Sequence, residues 1–326
     1  MATIDFSKIP HFTDLPVKPG APPESSWGVF GDDDQVGCLN FLTSDGVVEA
    51  ARLVSSGAVF RLDAPINYSK PTLFGRPAAK HTINSWEHIG LLGFDDLLDS
   101  YNTQEGSQWD GLAHVGLRGR RAFYNGVTPE QIKSGPEGKL GIHLWANRVV
   151  GKGLLLDAFA YRASVGRPIS PLEPERYTLD DLKGAAKAQK VVLRPGTVLL
   201  VRTGWMQAYL NAPQQEKDHM GTMEGIRACG IDDSREIIEW LWDNRVAALG
   251  TDCPAVEPWP WDILGNDDAL HFRALARLGL PIGEQFNLES LAGDCARDGR
   301  YEFLVVSVPL NLEGGIASPP NAVAIK

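Results

Sequence analysis

PGTVLLVRTGW, residues 195–205, and REIIEWLWDNRVAALGTD, residues 235–252, decide the fold. The first is an apolar run bounded by glycines and a proline, the pattern of a strand buried on both faces. The second has helical apolar spacing over residues 235–246 and then turns into another short apolar run, VAALGTD, over 246–252. A strand, a helix and a strand in that order are the unit of an α/β architecture. Working outward, VVGKGLLLDAFAY (149–161) suggests a further buried strand and LDDLKGAAKAQKV (179–191) is helical in pattern. LHFRALARLG (270–279) also reads as a helix, and YEFLVVSVPL (301–310) is the last clear strand. Toward the N-terminus, TSDGVVEAARLVSS (43–56) predicts a short amphipathic helix capped by Thr43 or Ser44 and stopped at Gly57, with GAVFRLDAPI following as a strand. The expected class is therefore α/β with a mixed sheet and packed helices. Asp252, just after a strand, sits where ligands gather in such folds.

Composition narrows the function. Among 326 residues, 41 acidic and 31 basic side chains leave a formal net charge of -10, which argues against a phosphate-tracking surface and hence against nucleic acid as a partner. Cys38, Cys229, Cys253 and Cys295 are far apart and form no CxxC, so they read as reduced thiols of a cytosolic protein. The first residues carry charges and prolines where a signal peptide needs an apolar segment, and no run approaches about 18 apolar residues. These features predict a cytoplasmic protein without a membrane partner. Residues 1–40 are expected to be an extended segment packing over the surface, and the length leaves one large domain or two of ordinary size open. Within that segment, Asp32, Asp33 and Asp34 read as a solvated turn or helix start, with a hard-cation site as the alternative.

The familiar chemical signatures are missing. No G-x-G-x-x-G opens a strand-to-helix unit, which disfavours a nicotinamide-dependent oxidoreductase, and the chain has no phosphate loop, G-x-S-x-G or H-E-x-x-H. What stands out is QWDGLAHVGLRGRRAFYNG, residues 108–126, where Asp110 and His114 lie four apart amid glycines and aromatics. Such a pair can share a metal ion, or can be a hydrogen-bonded couple supporting a loop. Further candidates are His143, His219, His271, Asp252, Glu257 and Glu284. His271 opens a predicted helix and Glu284 follows its end, so both reach one cavity if the chain folds back at Gly279 to Pro281.

Five segments in order, WGVFGDDDQVGCLNFLT, QWDGLAHVG with FYNG, GIHLWANRVVGKGLLLD, GTDCPAVE and HFRALARLGLPIGEQFNLESLA, make the chain similar to the cyclase family. That family includes bacterial kynurenine formamidases, isatin hydrolase and a metal-dependent trans-dienelactone hydrolase, and the order and separations agree with its longer-chain branch. The resemblance covers nearly the whole chain. It implies a compact swivelling β/β/α fold, a single catalytic domain over residues 41–326, and a homodimer or homotetramer. It also implies a divalent ion, Zn2+ or Mn2+. Short-chain members carry H-x-G-T-H-x-D-x-P-x-H, on which Asp110 takes the place of the first histidine and His114 matches the second. Gly116 stands where those members have aspartate, so the coordination is completed differently here and a two-metal site is not inherited. A distal histidine opening a helix and a glutamate before N-L-x-x-L match His271 and Glu284.

The resemblance thus implies a metal-dependent hydrolase opening a small lactone or cyclic amide by attack of metal-bound water on the carbonyl. Asp110, His114, His271 and Glu284 are the expected ligands, and His143 the expected base or acid, with additional ligation as its other role. Tyr124 and Asn125 are candidate donors to the developing oxyanion, or a turn before Gly126. Gln108, Trp109, Phe123 and Trp145 are candidate substrate contacts for a cyclic or aromatic small molecule. Asp252 is either a cap or the residue orienting a ligating histidine. Arg118, Arg120 and Arg121 are either a solvated loop or an attractor for a substrate carboxylate. The alternatives are hydrolysis of an open-chain aryl formamide and a non-catalytic, metal-stabilised binding protein.

Overall fold

The computed structural model describes residues 4–261 and 267–326; positions 1–3 of the expected N-terminal segment and 262–266 of the expected catalytic domain lie outside the described residues. In chain order the strands are β1 (Val59–Arg61), β2 (Lys80–Ser85), β3 (Phe94–Asp99), β4 (Gln108–Asp110), β5 (Val150–Asp157), β6 (Arg176–Tyr177), β7 (Val198–Arg202), β8 (Gly230–Ile231), β9 (Ala248–Thr251), β10 (Ile282–Glu284), β11 (Glu302–Ser307), β12 (Ala317–Ser318) and β13 (Ala322–Ile325). The helices are α1 (Ser44–Ala51), α2 (Ala158–Ser164), α3 (Leu179–Gln189), α4 (Trp205–Asn211), α5 (Gln214–Met220), α6 (Arg235–Asp243) and α7 (Glu289–Asp298), with a π-helix at Phe272–Leu278.

Nine strands form one mixed sheet in the order β1-β13-β11-β5-β7-β9-β10-β4-β12. Its centre, β5-β7-β9-β10, is parallel, and antiparallel pairs extend it on both sides. Val198 to Val201 are fully buried, as the uninterrupted apolar run of β7 requires of a strand covered on both faces. The expected strand at 149–161 divides. It ends at Asp157, whose carboxylate accepts the Ala160 N–H at 2.9 Å and starts α2. Thr43 caps α1 by accepting the Gly46 N–H at 3.1 Å, but α1 stops at Ala51, short of Gly57.

On α6, Ile237, Ile238, Leu241 and Trp242 are buried, a stripe at helical spacing. The N-terminal stretch runs along this helix and the π-helix. Phe12 N–H donates to Asp243 Oδ1 at 2.8 Å, Trp242 Nε1 to the Pro10 carbonyl at 3.0 Å and Trp27 Nε1 to the Ala276 carbonyl at 2.8 Å. Gly37 has φ 56°, and a Cβ there would lie 2.0 Å from the Gly279 carbonyl oxygen, so the approach demands glycine. The β2–β3 hairpin stands away from this core, with Ile83, Leu92 and Phe94 exposed. Among the described residues no helix is long and apolar enough to cross a membrane.

Candidate metal centre

Strands β4 and β10 build the floor. They pair antiparallel with Gln108 opposite Glu284 and Asp110 opposite Ile282, and side-chain alternation puts Gln108, Asp110 and Glu284 on one face. Trp109 points the other way. It is buried, donates Nε1 to Ser307 Oγ at 2.9 Å and meets Phe286 edge-on, so it packs the core behind the site. After β4 the chain turns at Gly111, where a Cβ would lie 2.4 Å from the Ile316 carbonyl oxygen. His114 N–H donates back to the Gly111 carbonyl at 2.9 Å, and His114 Nε2 comes to 4.0 Å from Asp110 Oδ1.

His271 arrives from the start of the π-helix, a distortion that recurs at functional sites. Its Nδ1 is 2.7 Å from Glu257 Oε2, its backbone N–H donates to Glu257 Oε1 at 3.3 Å, and its Nε2 lies 3.2 Å from Glu284 Oε1. Trp261 stacks on the ring at 5.9 Å. One donor atom each of Asp110, His114 and His271 lies within 4.8 Å of the others. Glu284 joins them through His271, so the two halves of the expected ligand set, about 160 residues apart in the chain, meet at one point.

The electrostatics are those of buried charge. Burial and then the neighbouring Asp110 push the Glu284 carboxyl up to about 7. Burial depresses His114 below its ordinary value. Burial also works against a charged His271, but Glu257 and Glu284 outweigh it and hold that imidazole well above the usual range. The carboxylate of Asp110 and the imidazoles of His114 and His271, with no thiolate among them, fit a divalent ion with a mixed nitrogen and oxygen shell.

Most of the other sequence candidates have partners of their own. His143 is partly buried, and its Nδ1 accepts the Gly314 N–H at 3.3 Å. Tyr124 is buried and donates to Asp34 Oδ2 at 2.9 Å, while Asn125 Nδ2 donates to the carbonyls of Gly31, Asp32 and Asp34. Both therefore pin the N-terminal loop. Phe123 is partly buried and packs on the core; Trp145 is fully buried, with Nε1 unpartnered among the described residues. Asp252 accepts from the Thr203 and Gly204 N–H groups at 2.5 and 2.9 Å, ahead of α4, and the carboxylate on the far nitrogen of His271 is Glu257. Arg118 pairs with Asp267 and Arg121 with Glu130, and Arg120 donates to the Gly20 carbonyl. His219 lies exposed near the end of α5. Gln108 bridges the floor, donating Nε2 to Glu284 Oε2 at 2.8 Å and to Asp110 Oδ1 at 3.2 Å.

Two residues at the centre carry no sequence signal. Arg76 donates Nη1 to Gln108 Oε1 at 3.3 Å and to the Gln104 carbonyl. Gln104 places Nε2 2.6 Å from Asp110 Oδ1 and 3.1 Å from His114 Nδ1. Both lie in loops outside any motif, and only the close of the β2–β3 excursion brings them together.

The family model described as Putative cyclase matches residues 57–258. A crystal structure described as a novel cyclase is similar at 31% identity, covering 93% of this chain and 99% of its own, with a TM-score of 0.81. Isatin hydrolase A from Labrenzia aggregata, bound to benzyl benzoate, shares the fold at 15% identity and a TM-score of 0.55, over 86% of this chain and 97% of its own. An isatin hydrolase bound to the product analogue thioisatinate does so at 15% and 0.57, over 87% and 98%. No curated protein matches the chain. From a family model spanning most of the sequence and a 31%-identical structure spanning nearly all of it, the chain belongs to the Putative cyclase family.

Proposed function

We propose that this protein is a metal-dependent hydrolase that opens a small lactone or cyclic amide, with Asp110, His114, His271 and Glu284 holding one Zn2+ or Mn2+. The observation that carries the reading is the convergence of Asp110, His114 and His271 donor atoms within 4.8 Å of one another. Bound there, a divalent ion supplies a water acidified from a pKa of about 15.7 toward about 7 and polarises a carbonyl.

The chain's own residues do the rest. Glu257 takes the Nδ1 side of His271 at 2.7 Å, which leaves Nε2 facing Glu284 and the centre. Gln108, anchored by Arg76, orients Asp110 and Glu284 from below. His143, whose Nδ1 accepts the Gly314 N–H at 3.3 Å, is the residue we assign to removing the water proton or donating one to the leaving group. The shared fold of isatin hydrolases favours a cyclic amide as the first substrate class to try.

The test is elemental analysis of protein purified without added metal or chelator, with the same sample assayed on lactones, cyclic imides and aryl formamides before and after stripping. About one Zn2+ or Mn2+ per chain, with turnover that vanishes on stripping and returns on readdition, is the expected result. A folded protein that neither contains nor takes up metal overturns the reading. Metal binding without turnover on the panel leaves a binding protein, and turnover confined to aryl formamides reassigns the substrate.

A further inference from the structure

We propose that Gln104 supplies its side-chain Oε1 as an additional oxygen ligand to the ion held by Asp110, His114, His271 and Glu284. The inference rests on the metal-centre reading above and deepens it. The amide end of Gln104 lies among the donor atoms, with Nε2 2.6 Å from Asp110 Oδ1, 3.1 Å from His114 Nδ1 and 3.5 Å from His114 Nε2. A group touching both a carboxylate and an imidazole at that range borders any cation the two share. A half-turn of the amide exchanges Nε2 and Oε1 without moving the chain. Among the described residues Oε1 makes no hydrogen bond, so the turn forfeits nothing on that side.

Gln108 shows the contrast. Its Oε1 accepts from Arg76 while its Nε2 donates to Asp110 and Glu284, so both ends are committed and it remains a donor. The backbone of Gln104 is fixed on both sides: its N–H donates to Asn102 Oδ1 at 2.9 Å and its carbonyl accepts from Arg76. The side chain is thus launched from a set position. Position 116 offers no ligand, and a Cβ there would lie 3.0 Å from both the Ala122 carbonyl oxygen and the Phe123 ring, so that loop is built for glycine. With Asp110 and Glu284 already supplying two carboxylates, a neutral amide oxygen adds a hard donor without adding charge.

The experiment is competition titration of Zn2+ and Mn2+ against a chelator for wild type, Gln104→Ala and Gln104→Glu, with the visible spectrum of the Co2+-loaded proteins. If Gln104 is a ligand, Gln104→Ala binds roughly 10- to 100-fold more weakly and its Co2+ spectrum changes. Gln104→Glu, which keeps an oxygen in place, binds as tightly as wild type or tighter. Were the amide only a donor to Asp110, Gln104→Glu would set two carboxylates against each other and lose at least as much affinity as Gln104→Ala; that result overturns the proposal. Unchanged affinity in Gln104→Ala also overturns it while leaving the metal centre standing, whereas a wild type that binds none of the three metals removes the centre itself. Gln104 is partly exposed, so both variants are expected to fold, and Gln104→Glu against wild type decides alone should Gln104→Ala not.

Discussion

Each buried polar side chain at the centre has a partner that fixes its orientation, and the chemistry depends on those partners as much as on the ligands. Glu257 is the clearest case, because it engages both the ring and the backbone N–H of His271. Gln replaces the charge while keeping the shape, so Glu257→Gln is expected to weaken metal binding roughly 10- to 100-fold with the fold intact, read by chelator competition and circular dichroism. His143 makes a separate prediction. Its loss should lower kcat by about 100- to 10,000-fold while the metal content stays at wild-type level; a parallel loss of metal would instead make it a ligand. At this scale the sequence was legible wherever a side chain belonged to a spaced pair or family motif, as Asp110, His114, His271 and Glu284 did. It was silent on Arg76 and Gln104, whose partners are chosen by loop closure.

Elements meet the site through their ends. Asp252, directly after β9, receives the Thr203 and Gly204 N–H groups that precede α4 and is fully buried. Burial raises its carboxyl above the ordinary value, against the pull of the Thr203 bonds. Asp252→Ala would strand those donors, and a loss of about 3 kcal/mol is expected in urea denaturation. Asp181, in the first turn of α3, is buried between Arg162 at 2.9 Å and Arg167 at 2.7 Å. Burial opposes its ionisation, but the Thr178 N–H and Arg162 prevail and hold it below its ordinary 3.8. A folded-state value below the unfolded one contributes stability that is complete above the unfolded pKa and drains away as pH falls through the depressed folded value. Asp181→Asn should therefore destabilise the protein at neutral pH and flatten the acid limb of its stability profile, as followed by denaturant midpoints from pH 7 to pH 3.

Across the whole molecule, a parallel centre carries the core, and its last strand, β10, with the antiparallel β4 beside it carries the floor of the site. Leu200, at the middle of β7 and fully buried, contributes to the first: Leu200→Ala is expected to cost about 3–5 kcal/mol by equilibrium unfolding. The N-terminal segment covers α6 and the π-helix with Phe12 and Trp27, both buried. Removing residues 1–40 should uncover that apolar face, visible as increased dye binding and a lowered melting temperature.

Local pattern was enough to place β7, β9, β11, α3 and α6, because continuous apolar runs and helical stripes register burial directly in the order of side chains. Spacing singled out only Asp110 and His114, and His271 and Glu284 entered through the family resemblance; the structure brings Asp110, His114 and His271 together. Local pattern misread 149–161 as one strand, since the change from β5 to α2 turns on a single capping carboxylate, Asp157. The three-residue strands β4 and β10 escaped it as well, for they are too short to show a period and exist only because each supplies the other's hydrogen bonds. Tertiary structure alone decided that Gln108 faces Glu284, that Glu257 and not Asp252 stands behind His271, and that Gln104 reaches the centre. Those pairings join segments far apart in sequence, and their geometry is set by how sheet, π-helix and loops close on one another.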